Sequence, residues 1–257
     1  MKWRLPEDPV WPDNAMPPVK PVTWQGLHLG LMDYAAALDM QHRLADSLIV
    51  DSDRYGTILF LEHLPVFTLG KRGGLENLQV SSEFLASRNI PVIPTDRGGN
   101  ITFHGPGQLI VYPIIHLTRN HLSVVDLVGR LEEVMIETLK FWNIASERSP
   151  VNHGVWVDGK KIGSIGIHIR KSISIHGIAL NVNNSLVPFD WINPCGLAGI
   201  TMTSMKQELY RDVPMDQVIR QMSLSIETVF QIELKMPSLS RDESNLSEKG
   251  SYADQSG

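Results

Sequence analysis

The sequence predicts a mixed α/β (α+β) fold, a mixed β-sheet flanked by helices. Three observations carry that prediction. Hydrophobic residues fill 42% of the 257 positions, enough for a sizeable core. Helical and strand periodicities alternate along the body of the chain. In its second half, apolar runs separated by short turn signals read as antiparallel hairpins.

Six of the 16 prolines fall within residues 1–21, together with Trp3 and Trp11. Proline fixes φ and removes a donor, so residues 1–22 read as a Pro-rich arm docked on the body through its tryptophans. Asp33 is placed to cap a helix over 34–49. Two β-type runs follow, 57–61 and 66–69, split by His63-Leu64-Pro65, and another covers 109–112. Ser123 with Asp126 makes a capping-box start for a second helix. Within it Val124, Leu127, Val128, Leu131, Val134, Met135 and Leu139 recur at helical spacing. The period then changes to strands at 155–157, 162–169 and 172–182, with turns at Asp158-Gly159 and Arg170-Lys171. A last amphipathic helix runs from Pro214, taken as its N1 residue, to Phe230. Residues 237–257 are rich in Ser, Asp and Glu and poor in large apolar groups, which predicts a disordered polar tail. The body, residues 23–236, is thus one domain.

Lys+Arg 23 against Asp+Glu 28 gives a net charge of −5, which argues against a nucleic-acid footprint. No apolar run approaches the ~18 residues of a membrane helix, and the acidic N-terminal segment is unlike a transit peptide. One cysteine forms no internal disulfide and no Cys-based zinc site, which fits a reducing, cytoplasmic compartment. There is no P-loop, dinucleotide fingerprint, H-E-x-x-H or G-x-S-x-G, and the nine histidines lack metal-ligand spacing. No metal and no cofactor are expected.

Three segments are denser than structure alone requires. In Arg97-Gly98-Gly99-Asn100-Ile101-Thr102-Phe103-His104-Gly105-Pro106-Gly107-Gln108, four glycines let backbone approach a ligand closely. The plainer alternative is a turn feeding the next strand. In Gly159-Lys160-Lys161-Ile162-Gly163-Ser164-Ile165-Gly166, two lysines open a strand of small residues. The third, Asn193-Pro194-Cys195-Gly196-Leu197-Ala198-Gly199, sets the sole thiol on a bend. Such a cysteine is most often a buried packing group, but a cation beside it lowers a thiol pKa from about 8.5 and makes it a nucleophile. Lys160 or Lys161 could supply that cation.

RGGNITFHGPGQLIVYP, GKKIGSIG, HGIALNVN and INPCGLAG, in this order, resemble the lipoate-biosynthesis octanoyltransferases, with LEHLPVFTLGKRG upstream included. The likeness spans residues 57–203. It implies the fold of biotin and lipoate protein ligases and transfer of an octanoyl group from octanoyl-acyl carrier protein to lipoyl-domain lysines. The acceptors implied are the lipoyl domains of 2-oxoacid dehydrogenase complexes and the glycine cleavage H protein. The family's nucleophile falls on Cys195 and its acid/base lysine on Lys161. Its substrate contacts fall on Arg97, Gly98, Gly99, Asn100, Ile101, Thr102, Phe103 and His104, on Ser164, Ile165 and Gly166, and on Gly177, Ile178 and Ala179. Lys71, Arg72, Arg97, Lys160, Lys161, Arg170 and Lys171 are a candidate patch for steering acidic partners. An ATP-dependent lipoate or biotin ligase on the same fold, and a non-catalytic carrier-domain binder, are the competing expectations.

Overall fold

The computed structural model describes residues 21–150, 152–193 and 199–236. Nearly all of the arm, the polar tail and Cys195 lie outside the described residues.

Strand β1 (Thr23–Met32) leads through the Asp33 cap into helix α1 (Tyr34–Val50), where the Asp33 side chain accepts from the Ala36 N–H. Strands β2 (Gly56–His63) and β3 (Val66–Leu69) follow, then short helix α2 (Ser82–Ala86) and strands β4 (Val92–Pro94), β5 (Ile101–His104) and β6 (Gln108–Ile115). Helix α3 (Val124–Lys140) starts at the Ser123/Asp126 capping box, which is made in both directions. Strands β7 (Glu147–Arg148), β8 (Gly154–Val157), β9 (Lys160–Arg170) and β10 (Ile173–Asn181) precede helices α4 (Met205–Leu209) and α5 (Met215–Phe230) and strand β11 (Glu233–Lys235). Pro214 is the N-cap of α5 rather than its first helical residue. The hairpin between β9 and β10 turns on Lys171-Ser172, both at positive φ, one residue beyond the expected position.

Eight strands form one sheet in the order β11-β1-β2-β6-β10-β9-β8-β7, and β4-β3-β5 form a second. β1 runs parallel to both its neighbours, whereas the ladders from β2 through β6, β10, β9 and β8 to β7 are antiparallel. Strand alternation sorts the large sheet's side chains. Ile58, Phe60, Leu109 and Val111 pack in one core with residues of α3 and α5, while Leu59, Leu61, Ile110 and Tyr112 pack in another with α1. A third core, with Phe67, Ile101, Phe103 and Phe189, covers the small sheet.

Proline in a central strand interrupts the ladder. The β6–β10 pairing runs from Asn181↔Gln108 to Ile178↔Val111 and resumes only as a single bridge, His116↔Ile173. Continuing the register places His176 opposite Pro113, which has no N–H to give. The Ser174 hydroxyl stands in for lost ladder bonds, donating to the Pro113 carbonyl and accepting from the Ile115 N–H. The His176 N–H is taken by the Gln41 side chain of α1 at 2.7 Å.

Candidate active site

A cavity of about 600 Å³ opens between the small sheet and the β9–β10 part of the large one. The predicted site residues converge on it from segments far apart in sequence. Arg97 to Thr102 and His104 form one wall, Ser164, Ile165 and Gly166 another, and Gly177, Ile178 and Ala179 a third, with Lys161 at the β9 start. Phe103 is the exception. It lies in the small sheet's own core, its ring 5.2 Å from that of Phe67 and 5.9 Å from that of Phe189. Alternation along β5 sends Thr102 and His104 into the cavity and Phe103 away from it.

Lys161 is 2% exposed, and a bulge sets it there. β8 and β9 pair as Val155↔Gly163 and then Trp156↔Lys161, so Ile162 is an extra residue. That lets Ile162 enter the core with α3 while Lys161, its neighbour, turns to the cavity. The ammonium donates to Asn152 Oδ1 at 2.5 Å and to the His153 carbonyl at 2.8 Å. It also stands 5.4 Å from the centre of the Trp156 ring. The Lys161 backbone pairs with the chain that follows residues 194–198: its N–H donates to the Thr201 carbonyl, and its own carbonyl accepts from the Thr203 N–H. Asn193, the last described residue before that segment, is fixed too, its N–H donating to the Asn77 carbonyl.

Arg97 organises the glycine-rich wall. Its guanidinium donates to the Thr68 carbonyl and hydroxyl and to the carbonyls of Gly98 and Asn100. The Gly98 N–H in turn joins the small sheet to β9 by donating to the Ile167 carbonyl. Of the candidate basic patch, Arg97 and Lys161 are buried, and Lys160 and Arg170 pair with Glu208 and Asp46.

Of three buried histidines separated by long stretches of chain, His104 and His176 line this cavity, and the His63 ring lies 5.8 Å from that of His104. His176 adopts φ +60°, a left-handed conformation rare for a residue with a side chain, in mid-strand opposite Pro113. This breaks the strand's alternation and brings its ring to Tyr34 and Tyr112 on the α1 face. Its Nε2–H donates to Asp96 at 2.6 Å. His63 donates from Nδ1 to the Met32 carbonyl, which leaves Nε2 to accept the Tyr112 hydroxyl proton at 2.8 Å. His104 heads a chain whose direction is set by its far end. The Thr203 carbonyl only accepts, so the Asn181 amide donates to it, Gln108 donates to Asn181 Oδ1, and His104 Nδ1–H donates to Gln108 Oε1.

Burial pushes the His63 and His176 rings down to about 4 and His104 to about 3, so all three are neutral near pH 7. Burial pushes the Tyr34 hydroxyl up to about 12. Burial alone would raise Asp96, but the bond and charge of His176, with His168 nearby, hold it below its usual value. Among the described residues no three His, Cys, Asp or Glu side chains cluster as a metal site would, and no helix is long and apolar enough to cross a membrane.

Sequence spacing gave no signal for Tyr34, Asp96, Asn152 or the joint burial of His63 and His176. Each depends on contacts between distant segments.

The chain matches the lipoyl protein ligase A/B catalytic domain over residues 33–227. It is 45% identical over 205 residues to the octanoyltransferase of Desulfotalea psychrophila, covering 79% of this chain and 92% of that protein. It is 42% identical over 205 residues to the octanoyltransferase of Syntrophobacter fumaroxidans, covering 80% and 90%. Its fold is similar to that of the bipartite lipoate protein ligase of Thermoplasma acidophilum, with a TM-score of 0.65 at 15% identity over 86% of this chain and 88% of that one. That structural likeness speaks for the fold alone. The sequence matches go further, and the chain belongs to the lipoyl protein ligase A/B catalytic domain family and, within it, to the octanoyltransferases, which are acyltransferases.

Proposed function

We propose that this chain moves an octanoyl group from octanoyl-acyl carrier protein to the ε-amine of a lysine on lipoyl domains, through a thioester on Cys195 with Lys161 as acid and base. The acceptors are lipoyl domains of 2-oxoacid dehydrogenase complexes and the glycine cleavage H protein, and the compartment is the cytoplasm. The observation that carries the reading is a buried ammonium, Lys161, on the wall of a cavity lined by the motif segments of this family.

In the first half-reaction the Cys195 thiolate attacks the thioester carbonyl. The tetrahedral intermediate collapses, the C–S bond to the carrier's phosphopantetheine breaks, and Lys161 protonates the departing thiolate. In the second, the lysine amine of the lipoyl domain attacks the Cys195 thioester and gives its proton to Lys161; the C–S bond breaks, the amide forms and Cys195 leaves as the thiolate that starts the next cycle. Thioester to amide runs downhill, so the cycle needs no ATP. The stretch of β9 from Lys161 to Ile167 measures about 20 Å at ~3.4 Å per residue. It flanks the cavity with Ser164, Ile165 and Gly166, and with Ile110, Ile178 and Ala179 it offers an apolar wall to an extended eight-carbon chain.

Intact mass after incubation with octanoyl-acyl carrier protein tests the reading. One octanoyl adduct on the wild type, discharged by apo lipoyl domain and absent from Cys195→Ser, is expected. No adduct, with octanoate and ATP required for domain modification, would replace the reading with that of a ligase. No modification under either condition would leave a carrier-domain binder.

A further inference from the structure

The pocket that receives the Lys161 ammonium is built from residues the family motifs do not include. Asn152 Oδ1 accepts from Nζ at 2.5 Å, and the next carbonyl along the chain, that of His153, accepts at 2.8 Å. Asn152 is itself fixed, because its carbonyl accepts from the Trp156 indole N–H at 3.2 Å. Glu132, 5% exposed on α3, pins the other side of the bracket. It accepts from the Gly154 N–H at 3.0 Å and faces His153 Nδ1 at 3.3 Å and Arg148 Nε at 3.3 Å. Val128, one helical turn before Glu132, lines the cavity beside Asn152 and His153.

We infer that Asn152 is a positioning residue for Lys161, its amide oxygen acting with the His153 carbonyl to keep the lysine protonated and aimed along the cavity wall, in a bracket that Glu132 fixes from α3. Hydrogen bonds to an ion favour its charged form, and the effect is strongest where water is excluded. The charged groups that face this bracket are Glu132 and Glu133 from α3, Arg148 from β7, and His153, whose side chain is 76% exposed. Lys160, next in chain, is paired with Glu208 of α4. Asn152 therefore contributes through a neutral dipole at contact distance, which a charge census of the sequence does not register.

This inference rests on the Cys195–Lys161 reading, and the test separates the two. Cys195 is the only cysteine, so the pH dependence of alkylation by iodoacetamide reports one thiol. Wild type is expected to titrate below the free-thiol value of about 8.5, and Lys161→Gln close to it. Asn152→Ala is expected in between, raising the midpoint by about half to one unit, or roughly three- to tenfold in thiolate at a fixed pH below the midpoints. In the Lys161→Gln background, Asn152→Ala should add nothing, whereas a general loosening of the loop would shift both backgrounds. Glu132→Ala should shift the midpoint in the same direction, and Glu132→Gln, which keeps an acceptor for Gly154, should restore most of it. If Lys161→Gln raises the midpoint and Asn152→Ala does not, the bracket has no role and the dyad stands. If wild type already titrates near 8.5 and Lys161→Gln changes nothing, the dyad reading falls and this inference falls with it.

Discussion

Gly154 and Lys161 share a space that admits no further carbon: a Cβ on Gly154 would lie 2.8 Å from Lys161 Cε and 2.3 Å from the Gly163 carbonyl oxygen. Gly154 also holds φ +127°, which side chains disfavour, and its N–H is the one Glu132 grips. Gly154→Ala should therefore displace the lysine as well as strain the strand, at about 1–3 kcal/mol for the backbone alone. The expected outcome is a lower melting temperature together with an acyl-transfer rate reduced about a hundredfold, as for a catalytic group displaced by about an ångström. Wild-type turnover in the alanine variant would mean that Lys161 does not need this position.

The chain from His104 through Gln108 and Asn181 ends on the Thr203 carbonyl, next to the N–H that donates to Lys161. Asn181→Leu removes the donor to that carbonyl and the acceptor shared by the Gln108 and Asn184 amides, leaving Gln108 only its longer bond to the Phe103 carbonyl at 3.4 Å. Urea denaturation should show a loss of about 1–3 kcal/mol for each buried group left unpaired. An unchanged urea midpoint would show that this chain of amides does not support the 201–203 segment.

Stability should fall with acid well before the carboxylates protonate. The unfolded chain takes up protons on His63, His104 and His176 near pH 6.5. The folded chain refuses them until about 4, 3 and 4 respectively. The unfolded state then binds more protons, so stability is full above pH 6.5 and declines as pH drops toward 4. The slope approaches about 1.4 kcal/mol per unit for each such ring. Urea midpoints at pH 7, 6 and 5 measure this, and equal midpoints would show that the rings are not held neutral.

Elements with a local cause are readable in the chain. Asp33 and the Ser123/Asp126 box announce α1 and α3 because a cap is made within three residues. The Asp158-Gly159 turn declares itself by residues that tolerate positive φ. β1 and β11 do not, since both depend on parallel partners: Thr23–Gln25 pair with Glu233–Lys235 across more than two hundred residues. β5 hides for another reason, its strand lying inside a glycine-rich segment that reads equally as a turn. At the cavity, the motif segments place fourteen of the sixteen named residues on its wall. Phe103 departs because strand alternation decides its direction, and Cys195 lies outside the described residues. Asn152 and Glu132 escape notice because a neutral amide and a helix carboxylate acquire meaning only beside Lys161.

Pro113 also changes what protects the centre of the sheet from isotope exchange. It carries no amide proton, and the amide proton of His176 opposite is secured by Gln41, a side chain of α1, instead of by β6. Deuterium uptake at His176 should then follow the undocking of α1 rather than the separation of strands, and Gln41→Ala should accelerate it while Ile178 and Leu180, inside the unbroken ladder, stay slow. The middle of the largest sheet is thus guarded from outside it, by one amide on a helix.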